Sequence, residues 1–435
     1  MGKEGSYLHS IHLRYGPVVR VSPFAVDTIS AVDAQQIHGI KRLFCKSSWY
    51  EDFIPGNQNL VNVRDVQVHR RHRRLLSAPL SESSLKMVLP QVERKVQLAI
   101  FQMKQEMDAR GVVDVLKWWT CMATDVIGEL TFGESFLTLE SGKQNQYMRD
   151  LEATGATNAM LASFPTLYRF GRFVPALKEA KAIQDRLRSY AEQSLARYQD
   201  GLEKNPGAIT RSLFTKLYQA HDEETLTDKE INEEAQIYIV AGSDTTANTL
   251  TYLIWRLCLP ENAHLKARLT TELDTLPGGE PTEKELKSLP YLNKVICETL
   301  RLHSAVPGCL RRIIPEGGAV IGGFPLPAGG EVMTNAYCLH RNEEVFPNAE
   351  EFDPDRWENP TKQMKDAYLP FGGGSRVCIG LHLANAQLRM GAARFFMAFP
   401  NAVVSAQDGM CREDMDPALY FLMAPRGHRC LVEVR

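Results

Sequence analysis

The chain alternates long stretches whose apolar positions recur at helical spacing with short apolar runs broken by Gly and Pro. In EEAQIYIVAGSDTTANTLTYLIWRLCLP (233–260), Leu250, Leu253, Ile254 and Leu257 fall at i, i+3, i+4 and i+7, one face of a helix that ends at Pro260. The same periodicity predicts helices over 288–303 and over 379–398, where Leu381, Ala384, Leu388, Ala392 and Phe395 share a face. Further patterned stretches cover 86–137 and 176–203, and the basic segment VHRRHRRLLS precedes them. Strand-like pieces are short: PVVRVSP, the 319–335 stretch and the C-terminal CLVEV. The pattern predicts a mainly α protein with a small β portion.

Composition narrows the class without naming it. With 435 residues, 44% hydrophobic and 23% charged, the chain can bury a large core and lacks the bias of a disordered or fibrous protein. A net charge of -2 gives no general pull toward nucleic acid. Nine scattered cysteines with no CxxC pair read as a reducing compartment, neither a disulfide scaffold nor a zinc ribbon. No stretch approaches the roughly 20 apolar residues that span a bilayer. Repeats, low complexity and linkers are absent from the sequence, so one domain is expected.

Three short strings carry candidate chemistry. FGGGSRVCIG (371–380) places four glycines around one cysteine, a large backbone-entropy cost that only a close approach would justify. A thiolate there, at the start of the 379–398 helix, would be stabilised by the helix N-terminus and nearby amides, so Cys378 is a candidate metal ligand or nucleophile. A plain turn carrying a small buried hydrophobe is the other reading, and the residues alone leave both open. The dinucleotide fingerprint fails, because Val377 stands three after Gly374. In ETLR, Glu298 and Arg301 share a helical face, which alone is usually a solvated pair of little worth. AGSDTT (241–246) reads locally as a turn or N-cap, or as one helix running through a distortion.

FGGGSRVCIG matches the haem-binding signature FGxGxRxCxG at every specified position, and on it the chain resembles the cytochrome P450 family. The resemblance implies that fold, a large helical haem domain with a small β-rich portion, as a single domain over 1–435. It makes Cys378 the proximal thiolate on haem iron, Phe371 its shield and Arg376 a propionate partner, with Gly380 completing the signature. It makes Glu298, Arg301 and Arg356 of FDPDRW a buried scaffold for the haem loop. AGSDT fits the family's (A/G)Gx(D/E)T, which implies that Ala241 and Gly242 leave room over the haem. Asp244 and Thr245 would then deliver protons to dioxygen. His69 and Arg73 resemble the segment that meets the propionates, although many members carry tryptophan where His69 stands. Arg312 and His340 align with propionate-binding positions as well. Without the resemblance, HRRHRR reads as a solvated basic face or an acidic-partner site, and His340 as an ordinary histidine.

The resemblance covers essentially the whole chain, and phrases such as SSWYEDF and FGESF are most similar to fungal microsomal members that tailor secondary metabolites. It implies a monooxygenase that inserts one oxygen atom from O2 into a lipophilic polyketide or terpenoid. Electrons would come from NADPH through a partner reductase, with cytochrome b5 as an additional candidate. Arg70, Arg71, Arg74 and Lys365 would supply docking charge. Such members carry an N-terminal membrane anchor that the chain does not show. The expected location is the cytosolic face of the endoplasmic reticulum if a native anchor was removed, and otherwise the cytoplasm. A monomer without nucleic-acid partners is expected. By family position Tyr238, Val306, Leu419, Tyr420 and Phe421 line the substrate pocket, and the 155–177 region adds Met160, Leu161 and Phe164. Phe53, Leu60 and Leu422 complete its walls, with Tyr420 or Ser304 offering hydrogen bonds. The alternatives are a reductase-independent isomerase, dehydratase or peroxygenase, against which the intact Asp244–Thr245 pair argues, and a non-enzymatic haem carrier or sensor.

Overall fold

One long apolar pattern becomes two helices. The stretch 86–137 is divided by Gly111, whose φ of 72° ends the helix Leu89–Arg110. Val113–Asp114 then forms a short strand before the helix Val115–Phe132 begins. That strand pairs antiparallel with Leu431–Val434, so the C-terminus is tied to the middle of the chain. The computed structural model describes residues 2–40, 44–53, 57–143, 146–147, 149–150, 153, 175–204, 212–219, 225–278 and 280–435. Met160, Leu161 and Phe164 lie outside the described residues.

The other patterned stretches form the helices Pro175–Lys204, Asp228–Cys258, Pro290–Leu302 and Leu381–Ala398. Pro290 stands in the first turn, where its missing N–H costs nothing and its fixed φ suits a helix. The basic segment becomes the helix Val66–Ser77, capped by Asp65, which accepts from Gln67 N at 2.7 Å and Val68 N at 2.9 Å. Glycine and proline cut 319–335 into the strands Ala319–Ile321, Phe324–Leu326 and Glu331–Asn335.

Two compact units emerge: Met1–Cys45, Val96–Thr120 and Thr245–Arg435 form the first, and Lys46–Lys95 and Cys121–Asp244 the second. Every boundary falls inside a helix or strand, which is why no linker shows in the sequence. The first unit carries a mixed sheet in the order Val18–Ser22, Ala25–Thr28, Glu331–Asn335, Cys309–Ile313, with Cys45–Lys46 at its edge. The pairing of Ala25–Thr28 with Glu331–Asn335 is parallel. Beside the sheet, the helix Ala31–His38 buries Ala31 against Phe346, Ala349, Met364 and Ala367. In the second unit Phe136, Tyr147 and Tyr190 stack at ring separations of 4.7–5.3 Å. Among the described residues no helix is long and apolar enough to cross a membrane.

The central helix, Asp228–Cys258, corrects one expectation. It is α-helical without interruption through 241–246, where a distorted turn was expected. Its hydroxyls bond the helix they sit on instead of competing with it: Ser243 Oγ donates to Ile239 O and Thr249 Oγ1 to Thr245 O, both at 2.8 Å.

Candidate haem-thiolate site

The glycine loop holds its cysteine by the backbone. Cys378 N donates to Phe371 O at 2.9 Å and Val377 N to Gly374 O at 3.2 Å, folding 371–378 into a tight loop. The chain then enters the helix Leu381–Ala398 through Gly380, whose φ of -84° is ordinary. Cys378 is exposed, so the buried-hydrophobe reading fails. A Cβ built on Gly380 would stand 3.8 Å from the sulfur, an ordinary contact. Phe371, Arg376 and Gly380 are half-buried.

Gly374 explains the glycines differently from the sequence. Its φ is 61°, and an added Cβ would lie 1.8 Å from the carbonyl oxygen of His38, at the end of the helix Ala31–His38. The loop is glycine-rich here to press its backbone against that helix end. Gly374→Ala should therefore cost about 2–5 kcal/mol, combining left-handed strain with overpacking. Gly380→Ala should stay within about 1 kcal/mol. Denaturant midpoints of the two variants check this, and equal midpoints would refute the packing argument.

Behind the loop, Glu298 is fully buried in the helix Pro290–Leu302 and Arg301 is 1% exposed. Arg301 grips Glu298 with Nε at 2.9 Å and Nη2 at 2.8 Å. Its remaining donors reach the carbonyls of His340 and Ala349, each at 2.7 Å, and Glu351 at 3.0 Å. The same carboxylate accepts from Arg356 Nε at 3.0 Å, Asp353 N at 2.9 Å and Trp357 Nε1 at 3.0 Å. Glu298, Arg301 and Arg356 thus come together as one knot that pins the 340–357 segment.

His340 belongs to this scaffold, which corrects its expected contact with a propionate. Its ring is wholly buried, Nδ1 donates to Arg301 O at 2.8 Å and Nε2 accepts from Leu369 N at 2.9 Å. Burial holds its pKa down to about 3, so it stays neutral and both nitrogens are used. Ser304 is corrected likewise: 1% exposed, it donates to Leu300 O at 2.5 Å and offers nothing to a substrate. Arg312 is buried in the strand Cys309–Ile313 and donates to Arg311 O at 3.0 Å. Burial, and then the nearby Arg312 charge, push the His38 pKa down to about 3.

On the central helix Asp244 and Thr245 are half-buried and Ala241 is exposed. Gly242 leaves no open space, contrary to expectation: a Cβ there would meet Ile127 Cγ1 at 2.6 Å, so the missing side chain serves helix packing. Tyr238 is buried and stacks on Phe214 at 5.6 Å. His69 is buried and Arg73 half-buried, one turn apart on Val66–Ser77. Arg70, Arg74 and Lys365 are exposed, whereas Arg71 is bound to Glu230 at 2.7 Å and is removed from the docking set. Val306 and Phe421 are half-buried, and Tyr420 is exposed. Leu419 is buried against the N-terminal helix, where its Cδ2 would touch a Cβ on Gly5 at 3.3 Å.

Among the described residues no group of three or more His, Cys, Asp or Glu is placed to hold a metal ion. The exposed Cys378, on a loop folded by its own backbone hydrogen bonds, fits an iron that brings its own macrocycle and needs one protein donor. Sequence reasoning missed the structural part of the His38 helix end and the pairing of His72 with two glutamates described below.

The chain's similarities agree with that donor set. A family model described as Cytochrome P450 matches residues 2–432. A cytochrome P450 monooxygenase, orf2, of Aspergillus niger is 41% identical, covering 99% of this chain and 88% of the relative. The cytochrome P450 monooxygenase tazI of Aspergillus terreus is 42% identical over 100% and 89% of the two chains. A third, azaI of Aspergillus niger, is 40% identical over 97% and 94%.

Proposed function

The chain belongs to the cytochrome P450 family, which uses a haem-thiolate and O2, and from that membership we propose a monooxygenase acting as one haem domain over 1–435. It inserts one oxygen atom into a lipophilic small molecule, a polyketide or terpenoid scaffold of fungal secondary metabolism. The observation that carries this reading is the exposed Cys378, held by its own backbone at the head of Leu381–Ala398. When bound, haem with a thiolate ligand supplies an electron-rich iron that favours O–O cleavage.

The protein's own groups do the rest. Cys378 would hold the iron through its sulfur, Phe371 would shield that sulfur, and Arg376 and Arg312 would offer guanidinium groups to the propionates, as would His69 and Arg73. The hydroxyl of Thr245 donates a proton toward the reacting oxygen, and the carboxyl of Asp244 resupplies it. Glu298, Arg301 and Arg356 keep the loop in place. Tyr238, Val306, Leu419, Tyr420 and Phe421 are the proposed substrate contacts, and side chains of this kind favour apolar ligands, since burying apolar surface gains about 25 cal/mol per Å². An NADPH-dependent diflavin reductase supplies electrons, docking where Arg70, Arg74 and Lys365 present charge, at the cytosolic face of the endoplasmic reticulum. The protein acts as a monomer.

Aerobic turnover with NADPH and a fungal reductase against a metabolite extract tests this. A product heavier by one oxygen is expected, and product formed without reductase or added oxygen would overturn the reading. In the same assay Thr245→Ala should bind substrate normally, yet yield about an order of magnitude less product per NADPH, the remainder appearing as hydrogen peroxide. Unchanged coupling would remove Thr245 from proton delivery.

A further inference from the structure

In the second unit a histidine is enclosed by carboxylates. His72, 1% exposed on the helix Val66–Ser77, points both ring nitrogens at the first turns of the central helix. Nδ1 lies 2.8 Å from Glu234 Oε1 and Nε2 lies 3.2 Å from Glu230 Oε1. Burial raises the Glu234 pKa, while the hydrogen bond and charge of His72 act to lower it; with both carboxylates ionised they only accept, so both nitrogens donate and the ring is an imidazolium.

The two glutamates have further partners on the same chain segment. Glu234, fully buried, also accepts from Leu60 N at 2.8 Å, and neighbouring Glu233 accepts from Gln58 N at 3.1 Å. Glu230 Oε1 accepts from Arg71 Nη1 at 2.7 Å, while Oε2 accepts from Arg71 Nη2 at 3.3 Å and caps the helix through Thr227 N at 2.8 Å. The loop is stiffened from within, since Asn59 N donates to Asn62 Oδ1 at 2.8 Å and Asn62 Nδ2 to Asn57 O at 2.6 Å. The charges facing His72 are thus Glu230 and Glu234 across from it and Arg71 beside it, with Glu233 one residue from Glu234. Two cations balance the two carboxylates in contact.

We infer that His72 is a positioning residue, an imidazolium clasp that fixes residues 57–77 to the central helix and so sets the placement of His69 and Arg73. Only the last step, from placement to haem retention, rests on the proposed haem contacts of those two residues. The clasp is sensitive to base. Burial opposes the charge, but the hydrogen bonds to Glu234 and Glu230 outweigh it and raise the His72 pKa. A base with a raised folded pKa contributes stability that is complete below its unfolded value, about 6.5, and is lost as pH rises through the folded one. Alkaline pH then leaves Glu234 buried without its cation and loosens the segment.

Hydrogen exchange on the holoenzyme reads this directly. From about pH 6 to about pH 9, spanning the ordinary histidine value, exchange at the Gln58 and Leu60 amides should accelerate beyond intrinsic base catalysis as the His72 ring carbons titrate by NMR. His72→Gln, which can donate to one carboxylate only, should exchange these amides about tenfold faster at the acid end and abolish the pH dependence. Glu230→Gln keeps an acceptor for Thr227 and should move both the titration and the loss of protection to lower pH. Haem transfer to excess apomyoglobin should quicken in His72→Gln. Protection that is flat with pH in the wild type, or equal in the wild type and Glu230→Gln, overturns the clasp. Protection lost with haem transfer unchanged sustains the clasp and refutes the haem contacts of His69 and Arg73.

Discussion

Replacing Cys378 with alanine is expected to abolish the strongly red-shifted Soret band that thiolate ligation gives to the reduced, carbon monoxide-bound protein. The side chain is exposed, and the bond that shapes the loop comes from its backbone N–H to Phe371 O at 2.9 Å, which alanine keeps. Stability without haem should therefore change by less than about 0.5 kcal/mol. The loss is specific to ligation: an alanine offers no donor, and among the described residues no other cysteine sits in a glycine-rich loop at a helix start. A red-shifted band retained by Cys378→Ala would mean that another residue ligates the iron.

The second large effect is structural. Glu298→Ala removes the acceptor shared by Arg301 and Arg356 and strands at least one guanidinium in the core, where Arg301 is 1% exposed. Breaking a buried pair by deleting one partner costs about 3–5 kcal/mol. For a chain of this size that is a fall of about 3–5 °C in Tm. Glu298→Gln keeps the shape and should lose less. The exposed pair Arg268–Asp355, at 2.7 Å with side chains half in solvent, is the control, and Arg268→Ala should cost no more than about 1 kcal/mol. Thermal melts of the three variants decide the matter; Glu298→Ala melting with Arg268→Ala would show the knot to be dispensable.

Local chemistry was legible in the sequence and distant partnership was not. The helices expected over 288–303 and 379–398 appear as Pro290–Leu302 and Leu381–Ala398, because periodicity and a first-turn proline are local signals. Reading 86–137 as one stretch missed the left-handed Gly111, since the apolar pattern resumes beyond it. The string AGSDTT led to the expectation of a distorted turn, yet the helix runs through it, with its hydroxyls bonded back to the preceding turn. Nothing in GGG shows that Gly374 must press on the His38 carbonyl. The sequence offered His340 as a propionate contact or an ordinary histidine, because its partners are backbone atoms, which no side-chain pattern marks. His72 and Glu234 are 162 residues apart, and only the fold makes them neighbours.

Recombination between relatives inherits sequence in blocks, and a crossover at the boundary of the two compact units would cut between Asp244 and Thr245. The acid would descend from one parent and the hydroxyl from the other. A crossover ahead of Asp228 keeps that pair but separates His72 from Glu230 and Glu234. Past Thr245 one parent transmits both, and once the crossover also passes Leu250 a different match is required: Leu250 of the first parent must meet glycine at position 391 of the second, where a Cβ would stand 2.9 Å from its methyl groups. Lineages born of such exchanges should carry residues 228–245 as a single heirloom.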